Sequence, residues 1–313
     1  MEPVRRMGSV LHLWVRLGRL PFLLAGMAGF LLGALFALLQ GAAWDPARCL
    51  AGYFVLGFAH LSVSYSNDYF DRESDWSGST TPFSGGSGVL QQHPGIAAAA
   101  RGFALFLILL SLLSGALFAA AYAMPWWYLL VVAGGNAIGW WYSAPPLRLS
   151  VRRGAELVTA AAVGALVPGM GYVTVSGTAD PFLALFCAPL VCMGVAFALA
   201  VAMPDMESDV QSGKGTFIAR HGRQQGWSAL LLAAAGMSCC YAAVSVLAPP
   251  AGLDFWPLSA ASLVIVAAAA AGSRTGCRSR HCTVRAAGCV LAAIVGFCCI
   301  ADGYFLLLLC SAG

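Results

Sequence analysis

The chain has 313 residues, of which 60% are hydrophobic and only 10% charged, with a formal net charge of +4. Soluble globular domains carry roughly 25% charged residues, so a water-soluble fold is excluded, and the small positive excess gives no reason to invoke a nucleic-acid partner. The 11 cysteines include no C-x-x-C pair and fall mostly inside apolar runs, which marks them as small lipid-embedded residues rather than a disulfide framework or a zinc site.

Apolar runs long enough to cross a bilayer, about 20 residues each, occur at 21–39, 48–66, 96–120, 125–142, 156–176, 182–203, 227–248, 256–272 and 284–309. The first starts too deep in the chain and runs too long for a cleavable signal peptide. With the N-terminus placed in the cytoplasm, 16 of the 17 Lys and Arg residues fall on the inner side and only Arg48 falls outside. This is the bias that cytoplasmic loops show, and one span added or removed in the middle would scramble it. The expectation is an all-α polytopic membrane protein of nine spans, a single domain over residues 1–313. Its N-terminus lies in the cytoplasm and its C-terminus outside, in a bacterial plasma membrane.

The second span runs into DRESDWSG at 71–78, and the sixth into DMESDVQSG at 205–213, a near-copy that starts 134 residues later (205 − 71). These two phrases hold six of the 13 acidic residues. Four crossings separate them, so both face the cytoplasm. Asn67, Asp71 and Asp75 recur every four residues, Asp68 is three from Asp71, and Asp205 and Asp209 are four apart, spacings that place each set on one helical face. Such carboxylates repel one another and oppose the helix dipole at a C-terminus. One acidic stretch at a membrane boundary would read as solvated loop; two near-copies on one side point to a divalent cation. Mg²⁺ typically takes one or two carboxylates together with substrate phosphates, which implies a phosphorylated lipid substrate.

Cationic partners for that phosphate lie in two loops of the same side. YSAPPLRLSVRRGAE at 142–156 supplies Tyr142, Arg148, Arg152 and Arg153; GKGTFIARHG at 213–222 supplies Lys214, the only lysine in the chain, and Thr216. Positive-inside bias accounts for most of the arginines but not for a lone lysine beside an acidic phrase. Within the spans, buried polar groups are functional candidates because lipid penalises them. His60 lies seven residues, or two turns, before Asn67 on roughly the same face, and Asn136 lies six before Tyr142. Either can contact an acceptor or hydrogen-bond a neighbouring helix. Asp302, late in the last span, reads as structural. Pro204 either kinks the sixth helix at Asp205 or simply ends it.

These residues resemble the UbiA superfamily of intramembrane prenyltransferases. NDYFDRESD at 67–75 matches its N-D-x-x-D-x-x-x-D pattern, DMESD at 205–209 its D-x-x-x-D, Lys214 and Thr216 its K-x-T, and YSAPPLRL at 142–149 its Tyr-x-x-Pro-Pro-Leu loop. PPLRLSVRRGAELV and GYVTVSG are most similar to the menaquinone branch, whose acceptor is a dihydroxynaphthoate, whereas NDYFDRE also resembles the chlorophyll-synthase branch. The resemblance implies nine helices around a central lipid-open cavity and Mg²⁺-dependent transfer of an isoprenoid from a prenyl diphosphate to an aromatic acceptor. It further implies Asn67, Asp71, Asp205 and Asp209 as principal metal ligands, Asp68 and Asp75 as supporting ones, and Tyr142, Arg148 and Lys214 as holding or ionising the diphosphate. Other acceptors of the superfamily, 4-hydroxybenzoate, chlorophyllide or a lipid, stay open. A transporter would place its acids near the bilayer centre, whereas here they sit at helix ends; a CDP-alcohol phosphotransferase would carry D-G-x-x-A-R, which is absent.

Overall fold

The computed structural model describes residues 11–73, 81, 83, 85–247, 249, 253–275 and 279–312; Arg5, Arg6, Asp75, Cys277 and Arg278 lie outside them. Among the described residues there is no strand. The long helices are α1 (Leu20–Leu39), α2 (Pro46–Asp71), α3 (Ala97–Ala121), α4 (Trp127–Ser143), α5 (Ala155–Ser176), α6 (Pro181–Ala202), α7 (Phe217–Leu247), α8 (Trp256–Thr275) and α9 (Arg280–Ala312). Eight of these elements are long and apolar enough to cross a membrane. The remaining one, α4, has 17 residues, the lower end of the range of about 17–25 that spans hydrocarbon. It coincides with the predicted fourth span.

The two helices that end in acidic phrases begin alike. Asp45 caps α2 by accepting from the N–H groups of Ala47 and Arg48, with Pro46 as first helical residue. Asp180 caps α6 by accepting from Leu183 N–H at 3.2 Å, with Pro181 next. An acceptor at the N-cap followed by proline satisfies and pre-shapes the first turn. Arg48, in the first turn of α2, lies against Gly177, three residues before Asp180, where a Cβ would fall 2.9 Å from its Nη2, so both helices start at the same end of the bundle.

Six helices close a ring, α1 packing on α5 and α9, α5 on α6, α6 on α7, α7 on α8 and α8 on α9, while α2 packs on α1 and α5 and carries α3 and α4 beside it. The α1–α5 contact is backbone to backbone. A Cβ at Gly33 would fall 1.8 Å from Pro168 O, and one at Gly171 would fall 1.9 Å from Phe30 O, so only glycine permits that approach. Small residues serve this purpose between lipid-embedded helices, where packing replaces the hydrophobic effect. Phe36, Phe186 and Phe305 join α1, α6 and α9, with Phe36 and Phe186 stacked at 4.2 Å between centroids.

One helix end that agrees with the predicted span and one helix start that departs from it shape the site. The sixth helix stops at Ala202, a 3₁₀ turn covers Met203–Asp205, and a short helix covers Met206–Gln211, so the second acidic phrase leaves the axis of α6. Pro204 has no N–H to continue the helical ladder. The seventh helix begins at Phe217 rather than 227 and bends at Gly222, whose φ of 81° is open to glycine.

Candidate active site

The first phrase meets the loop after α4. Ser143, the last residue of α4, is fully buried, and its Oγ lies 2.9 Å from both Asn67 Oδ1 and Asp71 Oδ2. One hydroxyl proton shared between two acceptors fixes the two side chains, one turn apart on α2, toward the same point. Asp68 is one residue further round the helix and turns away. Its carboxylate is 4% exposed and accepts from Ser87 N–H at 3.1 and 3.2 Å and from the Ser87 hydroxyl. Arg16 donates to Ser87 O at 3.2 Å. The structure thus has Asp68, expected as a supporting metal ligand, anchoring the glycine-rich turn at 85–88.

In the second phrase Asp209 is 5% exposed; its Oδ1 lies 3.0 Å from Lys214 Nζ and its Oδ2 accepts from Thr216 Oγ1 at 3.2 Å. The Lys214 N–H also donates to Asp209 O at 2.9 Å. The acid, the lysine and the threonine singled out in the sequence therefore form one unit. Asp205 closes the 3₁₀ turn and is half-buried. Glu207, midway between the two aspartates, faces Arg223 at 2.5 Å instead.

The α4–α5 loop ties the phrases together. The Gly215 N–H donates to Val151 O at 2.8 Å, and the Phe217 N–H donates to Glu156 Oε1 at 2.5 Å, so the turn that carries Lys214 and Thr216 is docked at its middle and just past its end on α5 and the loop before it. Tyr142 OH pairs with Thr159 Oγ1 at 3.1 Å. Lys214 and Arg148 lie within electrostatic reach of Asp71, and Asp71, Glu156 and Lys214 within reach of Tyr142. Arg148 itself is exposed, on a backbone with φ of 44°.

The two intramembrane candidates are placed differently. The Asn136 amide donates to Ser111 Oγ and to Val132 O, each at 2.9 Å, and Ser111 Oγ–H donates to Val55 O at 2.8 Å. That chain knits α2, α3 and α4 together, the helix-to-helix role open to it in the sequence. His60 lies against α1, where a Cβ at Gly26 would meet its ring at 2.5 Å. Asp302 is buried in α9. Three contributors escaped the sequence reading: Ser143, Glu156 and Arg223. Glu156, 8% exposed in an apolar helix, carries the signal that marks buried charge, but its partner is a backbone N–H that no side-chain pattern reveals.

Among the described residues no three His, Cys, Asp or Glu side chains come close enough to hold a metal on their own. What the site offers is hard oxygen donors from two helix ends, Asn67 with Asp71 and Asp205 with Asp209, beside Lys214 and Arg148. This set suits a hard divalent ion that takes few protein ligands and completes its shell with water and phosphate oxygens.

The family model for the UbiA prenyltransferase family matches residues 26–285. No curated protein matches the chain in sequence. Among solved structures, a UbiA homolog from Archaeoglobus fulgidus bound to GPP and Mg²⁺ is similar with a TM-score of 0.64 at 17% identity, over 93% of this chain and 99% of that one. The apo structure of a UbiA homolog from Aeropyrum pernix K1 gives 0.66 at 15% identity, over 90% and 97%. A digeranylgeranylglyceryl phosphate synthase gives 0.57 at 15% identity, over 92% and 98%. At these identities the likeness is one of fold, and the match over residues 26–285 establishes the rest: this chain belongs to the UbiA prenyltransferase family and is an integral membrane prenyltransferase.

Proposed function

We propose that the protein transfers an isoprenoid chain from a prenyl diphosphate to an aromatic acceptor in a Mg²⁺-dependent reaction, with 1,4-dihydroxy-2-naphthoate or a related quinone precursor as acceptor. The observation that carries this reading is that Ser143 Oγ holds Asn67 and Asp71 at 2.9 Å each, Asp209 holds Lys214 at 3.0 Å, and the loop after α4 joins the two phrases through the Gly215 N–H to Val151 O bond, which sets carboxylates for a metal beside a cation for a diphosphate. Two of the similar Archaeoglobus structures are bound to GPP and Mg²⁺ and to DMAPP and Mg²⁺, in keeping with that assignment.

Asn67, Asp71, Asp205 and Asp209 would hold the metal, with Asp75 extending the first set and Asp68 supporting it through the Ser87 turn. Asp209 keeps lone pairs beyond those used by Lys214 and Thr216, since a carboxylate offers about four acceptor sites. The bound ion would act as a Lewis acid on the leaving diphosphate. Lys214 and Arg148 neutralise its remaining charge, Arg148 through a planar fork and Lys214 as a point charge. The Tyr142 hydroxyl, held by Thr159 at 3.1 Å, would help bind the same diphosphate. The C–O bond of the prenyl diphosphate breaks with its electron pair on the diphosphate, the electron-rich acceptor ring attacks the allylic carbon, and the ring regains aromaticity by losing the group its attacking carbon carried, a proton to water or, at the carboxylated carbon of the naphthoate, CO₂. The reaction face is the cytoplasmic side of a bacterial plasma membrane in this reading.

Incubation of the purified protein with one labelled polyprenyl diphosphate and a panel of 1,4-dihydroxy-2-naphthoate, 4-hydroxybenzoate, chlorophyllide and a glycerol lipid tests it. Product from the naphthoate is expected. Product from another acceptor alone would reassign the branch, and no diphosphate release with any of them would remove the reading.

A further inference from the structure

The middle glutamate of the repeated phrase has no part in the reaction just described, yet it is one end of a built contact. On a helix, residues four apart share a face and the residue midway lies nearly opposite, so when Asp205 and Asp209 face the site, Glu207 faces outward. Its Oε2 meets Arg223 Nη2 at 2.5 Å, and Arg223 Nε also donates to Met203 O at 3.3 Å. One guanidinium from α7 thus grips the phrase on both sides of Asp205, at a backbone carbonyl before it and at a carboxylate after it. The Arg223 side chain is only 11% exposed, against 47% for Glu207. From the start of α9, Arg280 Nε donates to the next carbonyl, Pro204 O, at 3.3 Å. The bend at Gly222 immediately precedes Arg223, and α7 approaches so closely that a Cβ at Gly226 would sit 2.7 Å from Met203 Cε.

The turn needs such a hold. A 3₁₀ turn broken by proline has poorer hydrogen-bond geometry than a helix, and here it carries a proposed metal ligand. We propose that Arg223 is a positioning residue for the second acidic phrase: it fixes the turn Met203–Asp205 through Met203 O and Glu207, and so sets the direction of the Asp205 carboxylate toward the cation. The inference rests on the reading that Asp205 serves a metal site.

Charge and position predict opposite signs, which makes the idea testable. If Arg223 were only a nearby positive charge, removing it would tighten cation binding by relieving repulsion. If it positions Asp205, removing it weakens binding, by the roughly 10–100-fold typical for groups that orient metal ligands. Mn²⁺ serves as the probe: free Mn²⁺ is measured by its EPR signal during titration of the purified full chain, alongside the Mg²⁺ concentration for half-maximal prenyl transfer. Arg223→Gln should raise both constants at least tenfold, and Arg223→Lys, which keeps the charge but cannot reach both partners, should lie between. The KM for the acceptor should not move. Glu207→Gln, which keeps an acceptor for Arg223, should stay within about threefold of wild type, a loss below 1 kcal/mol. Unchanged or tighter Mn²⁺ binding in Arg223→Gln and Arg223→Lys, in protein that retains wild-type elution on size exclusion, would overturn the proposal. Should Asp205→Ala bind Mn²⁺ and transfer prenyl groups as wild type does, the underlying reading of the site fails instead.

Discussion

Ser143 shows how much of the site a single hydroxyl organises. It lies 2.9 Å from both Asn67 Oδ1 and Asp71 Oδ2, so Ser143→Ala is expected to cost about tenfold or more in kcat/KM, the loss that follows from a hydrogen bond to a charged group of about 1.5–3 kcal/mol. Steady-state kinetics on protein with unchanged elution would show it, and full activity would remove Ser143 from the site. Lys214→Ala should lose between about tenfold and a few hundredfold toward the prenyl diphosphate by the same arithmetic, while Lys214→Arg keeps part of the activity because the charge survives in a differently shaped donor. An effect confined to expression or membrane insertion would make Lys214 a surface anchor. The spacing of Asn67, Asp71, Asp205 and Asp209, and the closeness of Lys214 and Thr216 to Asp209, could be read from sequence because helical periodicity and short loops are local properties. Spacing placed Asp68 with Asp71 as well, but periodicity does not say which group claims a carboxylate at the edge of a face, and Asp68 is claimed by Ser87, a residue 19 positions later in the chain.

At the scale of elements, composition located the spans well because length and hydropathy are what lipid selects for. Boundaries at the acidic end were less legible. The start of α7 at Phe217 is amphipathic and charged, so an apolar-run criterion skips it, yet it is helical because Glu156 and Thr216 satisfy its first N–H groups. The division of α6 from the short helix Met206–Gln211 was visible only as a proline. The α1–α5 contact gives a direct test of packing: Gly33→Leu should abolish accumulation of folded protein, because its Cβ alone would collide with Pro168 O. Gly134→Ala, with nothing within 4 Å of its Cβ, should be tolerated. The yield of monodisperse protein on size exclusion in detergent distinguishes them, and equal yields of the two variants would contradict the backbone contact. Reporters inserted after Gly154 and Gly213 should face the same side of the membrane, and reporters after Gly41 and Ala179 the opposite one; any other partition breaks the meeting of the two phrases.

For the molecule as a whole, the repeated phrase explains why so apolar a chain spends its few acids as it does. Two helices that each begin with Asp-Pro end at the same face, and the loops after α4 and before α7 lock onto each other there through Gly215 and Phe217. The charged pattern speaks for the metal and the diphosphate, whereas the acceptor's branch was read only from loop phrases such as PPLRLSVRRGAELV and GYVTVSG. The central claim is that two acidic helix ends act together on one diphosphate with a divalent ion. The most direct measurement is diphosphate release and prenyl transfer from a labelled prenyl diphosphate by purified wild type, Asp71→Ala and Asp205→Ala, with Mg²⁺ and after EDTA. Wild type with Mg²⁺ should turn over, EDTA should stop it reversibly, and either alanine should lower turnover by about a hundredfold or more, as loss of a buried charge partner of several kcal/mol implies. Undiminished transfer by either variant at ordinary Mg²⁺, or by wild type in EDTA, would contradict the account.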